Sequence, residues 1–154
     1  MIRLSVLAAT FVFFASCCHK DSNSGTTRAD IVRIQQYGGM RLENKVYEIS
    51  DEAVKQDTSF RTGDTVSYLF NITLPDAKHE KVLRLLHEIP MQLLSENNIL
   101  LGDPKFEVDG TATYVFIYRD GKKYTYLLAD DVSTLPEYLR EYALAVQQAF
   151  ADLK

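Results

Sequence analysis

The residues best suited to chemistry near the start of the chain are two adjacent cysteines, Cys17 and Cys18, which are its only cysteines. Adjacent cysteines bond to each other only in a strained ring, and no third cysteine exists for either to reach, so a disulfide framework is excluded. With the neighbouring His19 they supply three metal ligands, one fewer than the four that structural zinc requires. The pair therefore needs an explanation other than a disulfide or a metal site.

The segment before these cysteines has the layout of a secretory signal peptide. A basic residue, Arg3, precedes an apolar run over residues 4–15, and small residues follow. The run is shorter than the about 20 apolar residues that a membrane-spanning helix needs. The letters FASC at residues 14–17 resemble the bacterial lipobox, which implies cleavage before Cys17 and attachment of lipid to its sulfur. The resemblance therefore predicts a lipoprotein signal peptide over residues 1–16.

Lipidation of Cys17 would anchor the protein to a membrane of the bacterial cell envelope, facing the periplasm or the cell surface. Each buried methylene of an acyl chain contributes about 0.8 kcal/mol, and stable anchoring takes more than one chain, which the lipoprotein modification supplies. Residues 17–28 are small and polar, which is typical of a flexible tether. Residues 29–154 are predicted to form a single domain.

The domain itself contains few residues in catalytic or metal-binding patterns. Its two histidines, His79 and His87, lie eight residues apart on a predicted helix, and the zinc motif HExxH is absent. The motifs GxSxG, GxGxxG and CxxC and the phosphate-binding loop are also absent. The acidic pairs at 51–52 and 130–131 are predicted at turns and helix starts. We predict no catalytic residue, metal or cofactor, although a site of scattered residues leaves no linear motif.

The composition is that of an ordinary globular domain. Of 154 residues, 46% are hydrophobic and 25% are charged. The formal net charge of −4 provides no electrostatic attraction to nucleic acid or to an anionic lipid surface. Nine tyrosines and eight phenylalanines supply rings that suit half-buried sheets and interfaces.

The first half of the domain is predicted to begin with a hairpin. IVRIQQY (31–37) is typical of a strand, the glycines at 38–39 of a turn, and RLENKVYEIS (41–50) of a second strand. A strict two-residue loop would place Ile34 opposite Glu43, so we expect a different register. Residues 51–64 show no periodicity and are predicted to form a solvated loop.

A third strand and a helix are predicted next. Polar and apolar residues alternate in TVSYLFNITL (65–74), which predicts a strand with one solvent-exposed face. A helix is predicted from Pro75-Asp76, with a break near Ile89 caused by Pro90 and a short helical piece through Glu96. Its apolar stripe comprises Val82, Leu85, Leu86, Ile89 and Leu93.

The last third of the chain predicts a meander and a final helix. PKFEVDGTATYVFIYRDGKKYTYLLAD (104–130) contains Asp-Gly turns at 109–110 and 120–121, which predict three strands. A two-residue loop at 120–121 pairs Ile117 with Tyr124, Val115 with Tyr126 and Tyr114 with Leu127. A capping box from Thr134 to Glu137 starts the helix, whose buried stripe is predicted to be Leu139, Tyr142, Val146, Phe150 and Leu153. The order β-β-β-α-β-β-β-α predicts an α+β fold, an antiparallel sheet of about five to six strands with helices packed on one face.

Several of these features together resemble a known family over about residues 31–150. They are a first strand ending in Tyr37-Gly38-Gly39, a middle helix, the aromatic hairpin at 114–128, and the Pro-x-x-Leu start of the last helix at 136–139. In this layout the chain is similar to the emfourin family, small bacterial inhibitors of thermolysin-like metalloproteases. The chain departs from that family in its lipid anchor, its long loop at 51–64 and the long strand that follows. No inhibitory segment aligns residue by residue, so no family site is transferred.

The predicted function is that of a membrane-anchored envelope lipoprotein with a non-catalytic protein- or peptide-binding domain, and protease inhibition is its narrower form. The candidate binding residues are Tyr37, Gly38, Gly39 and Met40 at the predicted hairpin tip, because loops on a rigid sheet commonly carry recognition. The expected partners are the membrane and a protein or peptide, with a thermolysin-like protease as the specific case. The alternatives are a structural or assembly lipoprotein that tethers an envelope complex, and a hydrolase with a scattered site.

Overall fold

A computed structural model describes residues 25–38, 45–59, 68–95, 100–102 and 111–154 of the chain. Its strands are β1 (Thr26–Thr27), β2 (Ile31–Gly38), β3 (Lys45–Ile49), β4 (Val54–Asp57), β5 (Phe70–Thr73), β6 (Ile89–Pro90), β7 (Leu100–Leu101), β8 (Thr111–Arg119) and β9 (Lys122–Leu128). Its helices are α1 (Asp76–Val82), α2 (Arg84–His87) and α3 (Glu137–Asp152), with 3₁₀ turns at Met91–Leu94 and Val132–Thr134. The predicted signal peptide, Cys17, the hairpin residues Gly39 and Met40, and the predicted strand at 104–108 lie outside the described residues.

The main sheet confirms the predicted α+β class. Its seven described strands lie in the order β5-β4-β3-β2-β8-β9-β7, and every neighbouring pair is antiparallel except the parallel pair β7–β9. Expecting five to six strands was wrong, because β4 forms inside the stretch predicted as a loop and β7 adds a two-residue edge. The three α-helices contribute to one hydrophobic cluster with alternate residues of the sheet, so they cover one of its faces.

The hairpin of β8 and β9 has the predicted register. Ile117 pairs with Tyr124, Val115 with Tyr126 and Tyr114 with Leu127. Asp120 and Gly121 both have positive φ, at 51° and 72°. Positive φ at both central residues is the signature of the type I′ turn that Asp-Gly favours, and its twist matches that of the flanking strands. A local signal therefore determined this hairpin.

The pairing of β2 with β3 differs from a strict two-residue hairpin, as expected. Ile34 pairs with Tyr47 and Val32 with Ile49, which places apolar residues opposite one another on the core side. A slip by one residue would move these side chains to the other face, so burial fixes the register. The loop prediction for residues 51–64 was wrong at 54–57, because a turn joining Ser50 and Ala53 returns the chain antiparallel and pairs Val54 with Ile49.

The strand predicted over residues 65–74 is shorter and less buried than expected. It forms at Phe70–Thr73 and is the outermost described strand on its side of the sheet. Ile72, on the predicted apolar face, is 44% exposed, so that face is not buried along its length. Alternation predicted a strand correctly here, whereas the edge position left part of it uncovered.

The helix after Pro75 breaks where proline was predicted to break it. Helix α2 ends at His87, and Ile89–Pro90 then extend as β6. The predicted short helical piece is the 3₁₀ turn Met91–Leu94, and Glu96 lies outside the described residues. All members of the predicted apolar stripe are buried, namely Val82, Leu85, Leu86, Ile89 and Leu93. The missing N–H of proline explains the change from helix to strand.

The final helix, Glu137–Asp152, has the predicted buried stripe but begins later than the predicted cap would place it. Pro136 occupies its N-cap position and no side chain caps it. The Thr134 hydroxyl instead donates to the Asp131 carbonyl at 2.8 Å inside the preceding 3₁₀ turn, so the capping-box prediction was wrong. The stripe of Leu139, Tyr142, Val146, Phe150 and Leu153 is buried in the core cluster. The Tyr142 hydroxyl donates to the Leu85 carbonyl at 3.0 Å, which ties α3 to α2.

The chain is attached to the helical layer before residue 29, where the predicted domain begins. Strand β1 pairs with β6, and the Met91 N–H donates to the Gly25 carbonyl at 3.1 Å. The Ala29 N–H donates to the Leu86 carbonyl at 2.9 Å. Residues 25–28, the end of the predicted tether, therefore lie against the domain. Within the described residues, no helix has the length and apolarity to cross a membrane.

Candidate functional site

The face of the sheet opposite the helices carries a distinct set of side chains. Core residues such as Ile34, Val115 and Ile117 point toward the helices, so the residues between them on the same strands point the other way. We call this second surface the open face. Its half-buried and exposed members include Arg33, Glu48, Phe70, Tyr114, Phe116, Tyr118 and Lys123. The charged members stand among aromatic rings, which is the combination that binding surfaces use.

Arg33, near the middle of the sheet, is surrounded by aromatic rings. Its guanidinium carbon lies 4.4 Å from the ring centroid of Tyr68, 4.8 Å from that of Phe70 and 5.3 Å from that of Tyr118. Its Nη2 donates to Glu48 Oε2 at 2.7 Å. A cation within about 6 Å of a ring face is attracted by the ring quadrupole, and the carboxylate adds a charge-assisted hydrogen bond. We call these five residues the arginine cluster.

The arginine cluster is largely withdrawn from water. The side chains of Arg33 and Glu48 are 14% and 20% exposed. The buried Nε of Arg33 has no hydrogen-bond partner among the described residues. Tyr68 and Phe70 stack on each other at 5.6 Å with 14° between their planes. The guanidinium is therefore fixed in orientation.

An aromatic row on β8 continues the surface. Tyr114 and Phe116 stack at 6.2 Å with only 9° between their planes, and Tyr118 follows at the next position of the same face. The ammonium of Lys123 lies 4.7 Å from the Phe116 centroid and 6.0 Å from that of Tyr118. No ion pair to Lys123 is formed by the described residues. The row thus presents half-buried rings beside an exposed cation.

The open face is packed toward one end and accessible toward the other. Cross-strand register aligns Val46, Gln35, Tyr114 and Leu127 in one row, and Val46, Gln35 and Leu127 are buried. Tyr114 in this row is half-buried, as are Phe116 and Tyr118 in the rows nearer the β8–β9 turn. The surface available to a ligand is therefore centred on Phe116 and its neighbours.

The segment before β5 is positioned by one carboxylate. Asp57 Oδ1 accepts hydrogen bonds from the Leu69 N–H at 2.7 Å and from the Ser59 N–H at 3.0 Å. The Tyr68 hydroxyl donates to Gln35 Oε1 at 3.2 Å. The bond to Leu69 fixes the backbone between the two aromatic residues, so Tyr68 and Phe70 reach over the open face from its edge.

The phenol of Tyr118 is suited to hydrogen bonding and not to proton abstraction. Burial raises its pKa, and the nearby Arg33 guanidinium offsets this only in part. A phenol whose pKa lies above its ordinary value of about 10 stays neutral at physiological pH. It can therefore donate and accept hydrogen bonds to a ligand while remaining protonated.

The candidate binding residues predicted from the sequence lie at another part of β2. The backbone of Tyr37 pairs with Ala112 and that of Gly38 with Thr111, at the carboxyl end of the strand. Gly39 and Met40 fall outside the described residues. The predicted hairpin tip and the arginine cluster therefore share the central strand β2 but lie toward its opposite ends.

The two domain histidines make structural contacts. His79 Nε2 lies 2.8 Å from the Ser50 carbonyl oxygen, and His87 Nε2 lies 3.1 Å from Asp51 Oδ1. Asp51 also pairs with Arg28. Both histidines thus link the helical layer to the turn between β3 and β4. Over the described ranges, no three His, Cys, Asp or Glu residues gather as metal ligands would.

A groove of about 360 Å³ lies on the helical side of the domain. Its lining combines charges of both signs with tyrosines: Thr26, Arg84, Glu88, Pro90, Tyr138, Glu141, Tyr142 and Ala145. The glutamates and the arginine are exposed to solvent. The groove is a lesser candidate than the open face, because its charged groups are solvated and therefore less firmly oriented.

The arginine cluster was missed by sequence reasoning, although a signal for it exists. In TYVFIYR, aromatic residues at 114, 116 and 118 alternate with Val115 and Ile117. A strand that is apolar or aromatic on both faces indicates that its second face is also covered or used. That signal marks the row on β8, whereas nothing local marks the approach of Tyr68 to Arg33.

The chain was also compared with known proteins. No protein-family model matches it, and no curated protein matches it either. The lipobox and emfourin resemblances therefore rest on the residues quoted for them.

Proposed function

We propose that the protein is a lipid-anchored protein of the bacterial cell envelope whose domain binds another protein or a peptide through the open face of its sheet. The observation that carries this proposal is the row of half-buried rings on β8 beside the fixed guanidinium of Arg33 and the exposed ammonium of Lys123. Tyrosine, phenylalanine and arginine are the residue types enriched in the cores of protein interfaces. Their rings bury large areas at a small cost in side-chain entropy.

The chemistry of this surface favours binding over catalysis. The Glu48 carboxylate neutralises the charge of Arg33 in a salt bridge of 2.7 Å between Oε2 and Nη2, and the phenol of Tyr118 is uncharged. The surface therefore offers apolar area, ring faces and oriented donors, which are the means of recognition. An exposed cation at its rim suits a partner that carries a carboxylate next to apolar residues.

The anchor is supported by the amino-terminal sequence. The basic start, the apolar run and the lipobox-like residues 14–17 together fit export followed by lipidation of Cys17. Attachment to a membrane would confine the domain near its partner and raise their effective concentration. Function as a protease inhibitor is a narrower form of this proposal, whereas a structural or assembly lipoprotein that tethers an envelope complex is the alternative to it, and the identity of the partner separates the two.

Inhibition of a thermolysin-like protease is the narrower form. Besides the emfourin resemblance, it is supported by the position of Tyr37 and Gly38 at the end of β2, a strand that is paired on both sides. A backbone segment attached to such a rigid strand can enter a cleft at a low entropic cost. The test is titration of the mature chain into a thermolysin-like protease with a fluorogenic peptide. Inhibition at micromolar concentration supports this form, and its absence removes it without affecting binding by the open face.

Affinity capture from the native envelope tests the broader proposal. The full-length chain is used as bait, alongside a double variant of the open face, Phe116→Ser with Lys123→Glu. Leu144→Ser is the matched control, because Leu144 is 55% exposed on α3, on the other side of the domain. We expect the double variant to lose a protein that the unmodified chain and the control both recover. Equal recovery by all three, with folding verified by circular dichroism, would overturn the open face as the binding surface.

A further inference from the structure

The position at which the chain enters the domain limits how the domain can sit on a membrane. Gly25 and Thr26 are exposed and lie beside Met91, on the helical side of the sheet. An ideal Cβ on Gly25 would stand 3.0 Å from the Met91 sulfur, so the two residues are in close contact. The open face is on the opposite side of the domain.

The segment entering the domain is attached from Gly25 onward. The Ala29 N–H donates to the Leu86 carbonyl at 2.9 Å, and the Asp120 N–H donates to Asp30 Oδ2 at 2.9 Å. Arg28 pairs with Asp51. Only residues 17–24 therefore separate the predicted lipidated cysteine from the attached part of the chain.

The reach of that short segment can be compared with the thickness of the domain. Eight residues span at most about 28 Å when fully extended, and a flexible chain of that length has a root-mean-square end-to-end distance of about 16 Å. A helix layer on a sheet is about 20 Å thick, the sum of one helix diameter and one sheet layer. If the open face lay on the bilayer, the segment would have to run from Gly25, on the helical side, around the end of the domain that carries the β8–β9 turn, where Arg119 Nη1 donates to Thr27 Oγ1 at 2.5 Å. A path of about that thickness exceeds the root-mean-square length of the segment and takes up most of its reach.

We infer that the helical side around Gly25, Thr26 and Met91 faces the lipid bilayer and that the open face is directed away from it, toward the envelope space. This inference rests on the proposed lipidation of Cys17. Met91 is 46% exposed, so an apolar side chain stands at the surface that would meet the lipid headgroups. The orientation leaves the aromatic row accessible to a partner that approaches from outside the membrane.

Fluorescence quenching by labelled lipid tests this orientation. The lipidated full-length chain carrying Cys18→Ser is reconstituted in phosphatidylethanolamine–phosphatidylglycerol vesicles that contain a spin-labelled lipid. A dye is placed on a cysteine introduced by Met91→Cys, by Thr26→Cys or, on the open face, by Lys123→Cys. We expect the dyes at 91 and 26 to be quenched several-fold more than the dye at 123. Equal quenching at the three positions, or stronger quenching at 123, would overturn the orientation.

Two controls separate the outcomes. A long Gly/Ser segment inserted between Ser24 and Gly25 should abolish the difference in quenching, because a longer flexible chain no longer restricts the domain. A difference that survives the insertion would mean that the tether length does not set the orientation. Failure of the chain to float with the vesicles would instead contradict the anchor itself, and so the proposed function.

Discussion

The guanidinium carbon of Arg33 lies 4.4 Å from the ring centroid of Tyr68, although β3 and β4 separate the strand of Arg33 from the strand that follows Tyr68. The ring reaches over the open face from its outer edge, and Asp57 fixes the backbone next to it through the Leu69 N–H at 2.7 Å. A contact across two intervening strands exists only when the whole sheet is formed. The arginine cluster is thus both a candidate binding element and a product of the complete fold.

Replacing Arg33 should measure the strength of this cluster. Arg33→Met removes the cation–π contacts and leaves the partly buried Glu48 carboxylate unpaired, so we expect a loss of about 1–3 kcal/mol in the free energy of unfolding. The double variant with Glu48→Gln should lose less than the sum of the two single changes. Denaturant unfolding measures all three. Additive losses would show that the pair is not coupled. Gln148→Met, an exposed change on α3, serves as the control and should alter stability by no more than about 0.5 kcal/mol.

The docking of α3 should depend on Phe150. This residue is 4% exposed, and its ring centroid is 6.2 Å from that of Tyr47. Phe150→Ala should reduce the free energy of unfolding by about 3–5 kcal/mol, because it removes a buried ring and leaves a cavity. Leu144→Ala on the exposed side of the same helix should cost less than about 1 kcal/mol. Similar losses for both variants would mean that helix propensity, and not packing, determines the effect.

Stability should fall at alkaline pH because of Tyr142. Burial raises the pKa of its phenol well above the ordinary value of about 10. The unfolded chain therefore releases this proton first, and the free energy of unfolding should decrease once the pH exceeds about 10, with no such effect below it. Tyr142→Phe should lose about 1 kcal/mol at neutral pH with the hydrogen bond to Leu85, but should show a shallower alkaline decline. An unchanged slope in that variant would contradict this assignment. Some slope should remain, because burial also raises the pKa of Tyr47 and Tyr118.

Substitution of one cysteine tests the predicted lipid anchor. Cys17→Ala removes the sulfur to which lipid is predicted to attach, so the protein should leave the membrane fraction and lose labelling by a fatty-acid probe. Cys18→Ser is the matched control and should keep both properties, because the lipobox resemblance assigns the lipid to Cys17. Retained labelling in Cys17→Ala would show that the anchor residue, or the modification, is assigned wrongly.

Local signals predicted the parts of the fold in which neighbouring residues determine the structure. The Asp-Gly turn at 120–121 set the register of β8 and β9, and the helical spacing of Leu139, Tyr142 and Val146 set the buried side of α3. In both cases the residues that decide the geometry are close in sequence. The break at Pro90 belongs to the same class, because a missing N–H acts on its own helix.

The features that local sequence patterns did not predict depend on contacts between residues far apart in the chain. Residues 54–57 carry no clear alternation, yet Val54 joins the sheet because the turn at Ser50 places it beside Ile49. Thr134 has the residue type of a helix cap but donates to the Asp131 carbonyl instead. The arginine cluster depends on the order of five strands, β5-β4-β3-β2-β8, which no local pattern encodes, so it became visible only in the assembled sheet.

The central claim is that the open face, and not the helical layer, contacts the partner, and site-specific photocrosslinking in intact envelopes tests it most directly. The photoreactive residue p-benzoylphenylalanine replaces Phe116 in one variant and Leu144 in the other. We predict a defined protein adduct from position 116 that is absent from position 144. An adduct of equal yield at both positions, or one formed only at 144, would contradict the account.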